Sequence, residues 1–528
     1  MPTMIPADLI IEHVSVITMD PLCPHAIGVA IADGKCLGLI HNDQEAWPLA
    51  PNGKRLDGKG MTLLPGLIDA HCHLRAQISR DLSVSCSHED VDSIEDIQLT
   101  IRERANSLPP GTWIRATGYD LFYLQEQRHP TRWDLDKATS THPVRLRHVT
   151  RHATVLNSAA LALAGIGPET ADPPGVTIER DATTNMPTGL IYGGDAWLSQ
   201  HVLPALTTDE LHIGAKQLQN TLLRTGITAI QDATPTNTLF DLQFWTSCIQ
   251  DGWPITIQLM TAEQHHEQLT NALATAPDNV KNLLEMGPIK VVIEALPHLF
   301  PDPHELSQLA AEATRRDIPL SIHVVDPEMT WAAIEAIRYA TECYPEKSIR
   351  HRFEHLSLCP DAFLPDIAAL GITVVTNPSL IHDHGDRYRT NVDVAEQSWL
   401  YRMNSVLAAN IPLAAGSDAP VASFNPWIGI QTACTRATSS GAVLGESEQL
   451  ERWQALALYT TSAAKVAGWE CSRGMIRPGF HADLVLVNQN PLTCPTDSLH
   501  HTQVAATWID GKLVYQHNPE VLAELSKL

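Results

Sequence analysis

The sequence predicts an α/β protein whose centre is a (β/α)8 barrel, and three observations support that fold class. Eight short, mostly apolar runs each end in a polar residue or are directly followed by one, and most stretches between them are long enough for a helix. About 150 residues separate the first run from the second, which indicates an inserted subdomain. Both chain ends carry alternating β-type segments, which we expect to pair into one small β-sandwich.

The eight runs are the predicted barrel strands, and from the second onward they recur every 20 to 40 residues. Helical patterns lie between them, for example at Glu305–Arg316 and Thr330–Thr341. Eight successive βα units are typical of a barrel that presents its functional groups at the carboxyl ends of the strands. The predicted strands are Leu63–Ala70, Ile227–Ala233, Pro254–Met260, Pro288–Glu294, Pro319–Val325, Arg352–Leu356, Ile372–Asn377 and Pro412–Asp418.

The β-type segments near the termini set the expected domain boundaries. Gly34 and the pair Asp510-Gly511 mark turns within them. We expect residues 1–60 and 471–528 to form the two parts of the β-sandwich. The barrel then occupies residues 61–470, with residues 76–220 as its inserted subdomain. The terminal segments are Ala7–Met19, Ala26–Ile40, Ala482–Val487 and Val504–Tyr515.

The composition excludes several classes of protein. The 528 residues are 44% hydrophobic and 18% charged, which suits a chain that buries a core. A formal net charge of -24 repels phosphate backbones and anionic membranes, so we expect neither nucleic acid nor membrane as a partner. We expect instead a small-molecule substrate and a homo-oligomeric protein, with a dimer favoured.

The cysteines and the N-terminal segment indicate the compartment. Ten cysteines are spread along the chain without a C-x-x-C pair, which is unlike a disulfide framework or a thiolate zinc site. Met1–Met19 has no basic stretch followed by an apolar one, and no run of about 18 apolar residues occurs. We therefore expect a cytoplasmic protein.

The strongest chemical signal is a pair of histidines at the end of the first predicted strand. His71 and His73 follow the segment Leu64-Pro65-Gly66-Leu67-Ile68-Asp69-Ala70. Residues at i and i+2 of a strand lie on the same face, so both imidazoles can reach one metal ion above the barrel. The alternative is that both are ordinary polar residues at a strand end.

Three later strands also end in residues that suit a metal. His323, His355 and Asp418 fall at or near the ends of the fifth, sixth and eighth strands. Imidazole nitrogens together with a carboxylate oxygen suit Zn, Mn, Fe or Co. The alternative for any one of these histidines is a structural role in the core.

A lysine lies within the fourth predicted strand, in Pro288-Ile289-Lys290-Val291. An unpaired ammonium inside a barrel is costly, so Lys290 must be neutralised, paired or modified. A depressed pKa would let it react with CO2 to form a carbamate that bridges two metal ions. The alternative is an ion pair with Glu294 or with a substrate carboxylate.

Together these motifs resemble the metal-dependent amidohydrolase superfamily, and more narrowly amidohydrolase family 3, which includes N-substituted formamide deformylases. The run Gly416-Ser417-Asp418-Ala419-Pro420 and the segment from Arg477 to Val485 share the resemblance, as does the insert from His152 to Leu161. The resemblance implies a site in which His71, His73 and Asp418 hold the more buried ion and His323 and His355 the more exposed one. A carboxylated Lys290 would bridge the two.

Two positions depart from this branch. Before His152 the branch usually has Asp-Gly where this chain has Thr150-Arg151, and after the strand lysine it usually has Asp-Gly where this chain has Glu294-Ala295. Both departures lie where substrate would approach. The resemblance therefore does not identify the substrate.

Three further residues are weaker candidates for substrate binding. His152 could donate a hydrogen bond to the substrate carbonyl, or it could order the insert. Arg151 could pair with a substrate carboxylate, or it could be an exposed arginine on the insert. His382, after the seventh strand, could contact substrate or lie in a solvated loop.

The expected activity is hydrolysis of a non-peptide carbon–nitrogen bond in a small N-substituted amide or formamide. Hydroxide on a divalent metal, zinc in one or two copies per subunit, would attack the carbonyl. Asp418 would carry the proton to the leaving nitrogen, with His323 the next candidate for that role. The alternatives are a deaminase or cyclic-amide hydrolase on the same scaffold, and a barrel that has lost catalysis and serves in assembly.

Overall fold

Eight parallel strands form a nearly closed barrel, which confirms the predicted fold class. The computed structural model describes residues 5–42, 44–45, 47–150, 152–173, 175–194, 197–198, 201–295, 298–518 and 522–524. Each barrel strand pairs in parallel with the next one along the chain. The strands are β1 (Leu67–Cys72), β2 (Ile227–Asp232), β3 (Thr256–Thr261), β4 (Leu284–Val292), β5 (Leu320–Val324), β6 (Arg352–His355), β7 (Thr373–Thr376) and β8 (Leu413–Ala415).

The first and last strands meet just beyond their carboxyl ends. The Asp418 N–H donates to the His71 carbonyl at 2.8 Å, and the His73 N–H donates to the Ala419 carbonyl at 2.8 Å. The Asp69 carboxylate adds a third link, because it accepts the backbone N–H of Ser417 at 3.0 Å. This seam brings the H-x-H pair next to Asp418.

Helices alternate with the barrel strands along the chain. Capping residues in the sequence mark where two of these helices begin. Asp326 caps the helix Pro327–Cys343 by accepting the N–H of Met329, and proline occupies the first turn. Asp302 and Glu305 form a reciprocal capping box on Pro303–Arg315. The other helices of this part of the chain are Thr208–Thr225, Leu239–Gln250, Glu263–Ala274, Asp278–Lys281, Leu364–Ala369, Pro378–Asn391, Asn404–Ala408, Pro426–Thr435, Arg452–Ala457 and Thr461–Ala467.

The predicted first strand, Leu63–Ala70, is two strands in the structure. Thr62–Pro65 pairs with Leu484–Val487 in the terminal sheet, whereas β1 begins at Leu67. Gly66 separates them: its N–H donates to the Asp483 carbonyl, and a Cβ at this position would lie 2.1 Å from Thr228 Oγ1. The chain thus passes from one sheet to the other at a residue that needs no side-chain space.

The two chain ends pair into one sheet. Thr62–Pro65 joins the N-terminal and C-terminal halves, because it pairs with Ala7–Ile17 on one side and Leu484–Val487 on the other. Apolar side chains from both halves, including Ile11, Leu486 and Trp508, form its core. Its remaining strands are His25–Ala32, Lys35–Ile40, Leu49–Asp57, Val504–Ile509, Lys512–Gln516 and Ala523–Glu524.

The chain forms two compact units: the barrel with the terminal sheet, up to Leu74 and from Gln219 onward, and an inserted unit, Arg75–Leu218. The inserted unit has its own core, which includes Ile97, Leu146 and Val155. Its six-stranded sheet has the order Thr177–Arg180, Pro187–Tyr192, Ala153–Leu156, Val144–His148, Ile114–Tyr119, Val84–Ser85. Its helices include Ile94–Asn106, Arg132–Asp136 and Ser158–Leu163.

No helix within the described ranges combines the length and the apolar composition needed to cross a membrane. The longest described helix, Thr208–Thr225, has Asp209 and Glu210 in its first turn and Arg224 in its last turn. Polar and charged residues of this kind suit a helix with one solvated face.

Candidate active site

Three of the predicted site residues meet at the carboxyl end of the barrel. One ligand atom from each of His71, His355 and Asp418 lies within 4.8 Å of the other two, and all three residues are buried. His73 adjoins them, since its Nε2 lies 3.1 Å from Asp418 Oδ1. Strands β1, β6 and β8 therefore contribute to one cluster. Among the described residues this is the one group of three or more acidic, histidine or cysteine side chains that could hold a metal.

The backbone is strained where two of these side chains leave their strands. His355 has a φ of 68°, and the Leu356 N–H turns back to donate to the Glu354 carbonyl at 2.9 Å. Asp418 has a φ of 57°. Left-handed backbone at non-glycine residues costs energy and concentrates at functional sites. Here it turns the ends of β6 and β8 toward the same point.

His71 is held by a carboxylate behind it. Its Nδ1 donates to Glu354 Oε2 at 2.5 Å, and its Nε2 lies 3.4 Å from Asp418 Oδ1. Burial and the nearby Lys290 lower the pKa of His71, but Glu354 and Asp418 outweigh them, so that the pKa is raised. Two flanking carboxylates thus make Nε2 a position that attracts a cation, whether a proton or a metal ion.

The other two histidines also have one nitrogen engaged. Thr234 Oγ1 donates to Asp232 at 2.6 Å, so it accepts the hydrogen of His73 Nδ1 at 3.0 Å. Asn377 Nδ2 donates to the Gly416 carbonyl, which orients its Oδ1 to accept from His355 Nδ1 at 2.7 Å. In both histidines the Nε2 lone pair remains available.

This donor set fits a divalent metal ion. His71 Nε2 is buried and has no hydrogen-bond partner among the described residues, and both His71 and His73 direct Nε2 toward the oxygen of Asp418. Burial lowers the pKa of His355 to about 3 and also lowers that of His73, which keeps both rings neutral at pH 7. Lone pairs that face a carboxylate repel it unless a cation lies between them, and neutral imidazole is the form that binds metals.

Lys290 lies on β4, and its side chain is buried at 3% exposure. Its Nζ has no hydrogen-bond partner in the described part of the chain, so the alternative of an ion pair with Glu294 is not observed. Burial lowers the pKa of Lys290 to about 8, against the opposing effect of Glu354. The Lys290 ammonium therefore loses its proton more readily than an exposed lysine does.

His323 lies on β5, with its ring centroid 4.7 Å from that of His355. Burial and the neighbouring His355 lower the pKa of His323 well below its ordinary value. It is therefore a neutral imidazole next to the cluster, available as a ligand or as a group that moves a proton.

Two of the three weaker candidates, His382 and His152, lie in the described part of the chain. His382 Nδ1 donates to Asp383 Oδ1 at 2.7 Å on the helix Pro378–Asn391. His152 is exposed on the inserted unit, where its carbonyl accepts the N–H of Gly193 at 3.0 Å. Arg151 lies outside the described residues.

The residues that hold the histidines were not among the predicted site residues. Glu354, Thr234 and Asn377 each contact one imidazole, and Asp69 accepts the His71 N–H at 3.0 Å. Burial raises the pKa of Asp69 to about 6. One signal was available: Arg352 and Glu354 alternate with Phe353 and His355, so two charges occupy one face of a strand that is buried along its length.

Comparison with known proteins places these features in context. The sequence profile of the amidohydrolase family matches residues 55–515. An N-substituted formamide deformylase from Arthrobacter pascens is 28% identical, over 96% of this chain and 98% of that protein. A metal-dependent hydrolase from Pyrococcus horikoshii OT3 has a TM-score of 0.73 at 19% identity, over 93% of this chain and 99% of that one. A zinc-bound adenosine deaminase from Xanthomonas campestris has a TM-score of 0.54 at 14% identity, over 96% of this chain and 93% of that one.

Proposed function

Because the chain belongs to the amidohydrolase family, we propose that it hydrolyses the carbon–nitrogen bond of a small N-substituted amide or formamide with the help of zinc. The family match confirms the resemblance drawn from the motifs, and with the formamide deformylase relative it indicates a hydrolase acting on carbon–nitrogen bonds. The observation that carries the proposal is the pair of imidazole Nε2 atoms 3.1 Å and 3.4 Å from Asp418 Oδ1.

We assign the ligands from this geometry. His71, His355 and Asp418 form the core of the set, and His73 lies against the same carboxylate. His323 and Lys290 complete the site from β5 and β4. A divalent ion, when bound, supplies a Lewis acid that acidifies water and polarises the scissile carbonyl.

We propose that Asp418 moves the proton. A carboxylate oxygen takes the proton of the attacking water and delivers it to the leaving nitrogen, which departs as a neutral amine. The links from Asp69 to Ser417 and from the Asp418 N–H to the His71 carbonyl hold this side chain at the seam of the barrel. His323, neutral and close to His355, is the second candidate for the same proton.

Lys290 is proposed to act as a carbamate. Only the neutral amine adds CO2, and a pKa of about 8 leaves roughly a tenth of the lysine neutral at pH 7. The ammonium first gives up one proton, and the addition of CO2 then forms an N–C bond and releases a second. A buried cation is thereby replaced by an anion with two oxygen ligands. That exchange supplies a ligand and removes the cost of an unpaired ammonium.

The cysteines support the proposed cytoplasmic location. All ten lie in the described part of the chain and carry free thiols. Burial raises the pKa of Cys36, Cys86 and Cys359 to about 12, so these thiols stay protonated. Unpaired cysteines are the usual state in a reducing compartment.

A substrate panel tests the proposal. Purified protein loaded with zinc is incubated with N-substituted formamides, other N-substituted amides, ureas and cyclic imides, and amine, formate and ammonia are measured separately. We expect release of the substituted amine with an equimolar carboxylic acid. Asp418→Asn should turn over at least about a hundredfold more slowly, since general acid–base catalysis contributes 10²- to 10⁴-fold.

Two outcomes would contradict this function. Ammonia released without a substituted amine would assign deamination instead. If the protein bound zinc but turned over none of the compound classes, the result would favour a non-catalytic barrel.

A further inference from the structure

Glu354 is a fully buried carboxylate at the centre of the barrel, and neither the motifs nor the family match gives it a role. It lies on β6 at 0% exposure, one residue before His355. Its Oε2 accepts from His71 Nδ1, and its Oε1 accepts from Ser321 Oγ at 2.5 Å and from Arg352 Nε. One carboxylate therefore connects β1, β5 and β6 directly beneath the ligand cluster.

Arg352 determines which way this carboxylate points. Its Nη2 donates to the Ala70 carbonyl at 2.9 Å on β1, and its Nη1 donates to Gln231 Oε1 on β2. A guanidinium held at three of its nitrogens cannot rotate, and it stays charged at every accessible pH. Because Arg352 and Ser321 together occupy Oε1, Oε2 is left for His71 alone.

The hydrogen-bond pattern fixes the tautomer of His71. An ionised carboxylate accepts hydrogen bonds and donates none, so the hydrogen between Glu354 and His71 belongs to Nδ1 of the imidazole. The Nε2 lone pair must then point away from Glu354, and it faces Asp418 Oδ1 at 3.4 Å. That is the arrangement a metal ligand requires.

We propose that Glu354 is a positioning residue of the metal centre: it fixes His71 in the tautomer that leaves Nε2 free to bind the ion. This inference rests on the proposed function, because it needs a metal at Nε2. Glu354 acts through His71 and does not touch the substrate. The competing explanation is structural, namely that Glu354 serves only to neutralise the buried Arg352.

Glu354→Gln separates these explanations. The glutamine oxygen must still accept from Arg352 and Ser321, so its NH2 group would face His71. An amide N–H there donates to Nδ1 and moves the imidazole hydrogen to Nε2, where it blocks a metal. Zinc affinity should fall roughly 10- to 100-fold, which is the usual cost of losing a carboxylate behind a ligating histidine.

Glu448 provides a matched control. It is also buried, at 1% exposure, and it accepts from Arg402 Nε at 3.1 Å and from the Ser405 N–H at 2.9 Å, but its described contacts include no histidine. Glu448→Gln should lower stability as a lost buried ion pair does, while zinc affinity stays at the parent value.

Zinc affinity is measured by chelator competition on the metal-free parent and variants. The midpoint of thermal unfolding is recorded in chelator and in excess zinc. Visible spectra are recorded for the cobalt-substituted proteins. The inference predicts a weakened zinc affinity, a smaller zinc-induced rise in midpoint and an altered cobalt spectrum for Glu354→Gln alone. If that variant does not fold, Glu354→Asp keeps the charge near Arg352 but withdraws it from His71, and it should lose at least about tenfold in zinc affinity.

Parent-like zinc affinity in folded Glu354→Gln, or in Glu354→Asp if Glu354→Gln does not fold, would overturn this inference and leave the proposed function standing. If the parent itself failed to bind zinc, the proposed function would fall and the inference with it. An equal loss of affinity in Glu448→Gln would also overturn it, because the effect would then follow from stability.

Discussion

His71, His73 and His355 each have one ring nitrogen, Nδ1, hydrogen-bonded to a neighbour, which leaves Nε2 available. The partners of the first two lie far away along the chain: Glu354 is 283 residues from His71, and Thr234 is 161 residues from His73. No local pattern pairs residues at such distances. The candidate ligands could therefore be proposed from their place at strand ends, whereas the residues that orient their imidazoles could not.

Lys290 is the residue whose chemistry changes most with its surroundings. If it is a carbamate, Lys290→Ala removes a ligand and should strip metal and activity together. Short carboxylic acids such as formate and acetate, added with zinc, should restore part of both by filling the vacated space. Metal content is measured by atomic absorption on purified protein.

Lys281→Ala is the control for Lys290, because Lys281 pairs with the exposed Asp278 at 2.9 Å and should change neither metal content nor activity. Parent-level zinc in Lys290→Ala, without rescue by acids, would show that the lysine is no ligand. The site would then be a single ion held by histidines and Asp418.

His351 gives a prediction about acid stability that is independent of the metal. Its Nδ1 accepts the Leu320 N–H at 3.1 Å, and its Nε2 donates to Thr314 Oγ1, which itself donates to the Ala310 carbonyl. Burial lowers the pKa of His351 to about 4. The unfolded chain thus takes up a proton at higher pH than the folded one, so stability falls as pH drops from about 6.5 to 4.

His351→Asn keeps an acceptor for Leu320 and removes the titration. In chelator, the free energy of unfolding of the parent should fall by about 3 kcal/mol more than that of the variant between pH 7 and 4. Urea titrations at a series of pH values measure this difference. Parallel curves for the parent and His351→Asn would refute this prediction. As a control, replacing the exposed His304 by asparagine should give a curve parallel to that of the parent.

At the scale of elements, the seam between β8 and β1 sets the position of the site. The predicted strand Leu63–Ala70 merged two strands because both are apolar and buried, and only Gly66 separates them. Hydrophobic pattern alone does not reveal such a change of sheet. The ends of β5, β6 and β8 were placed to within a few residues, because polar residues follow apolar runs there.

Gly416 tests the importance of the seam. A Cβ at this position would lie 2.3 Å from the His71 backbone nitrogen and 2.6 Å from the His71 Cβ. Gly416→Ala must push β1 and β8 apart, which moves His71 away from Asp418. We expect a loss of about 1–3 kcal/mol in the free energy of unfolding, as for other overpacked sites, together with weaker zinc binding.

The control is Gly167→Ala, since no atom of the described residues lies within 4 Å of a Cβ at that position. Its stability and zinc affinity should match the parent. If Gly416→Ala matched the parent in both measurements as well, the seam would not be what positions His71.

At the scale of the whole molecule, the barrel strands are spread over about 350 residues of the chain, and they bring their side chains together at one end of the barrel. The rhythm of strands and helices predicted this, because parallel strands in a barrel all end on one side. The internal arrangement of the inserted unit was not predicted: its six-stranded sheet pairs Thr177–Arg180 with Pro187–Tyr192, and those short strands lack a clear alternating pattern. The roles of His152 and Arg151 there stay predictions.

The central claim is that this chain is a metal-dependent hydrolase, and metal removal tests it most directly. The purified protein is freed of metal by chelation, assayed on the best substrate of the panel, and then titrated with zinc. We predict no turnover without metal, restoration by zinc in proportion to the zinc bound, and a matching loss of bound zinc and rate in His71→Ala, because a ligand is removed. Full activity in the metal-free protein would contradict the account.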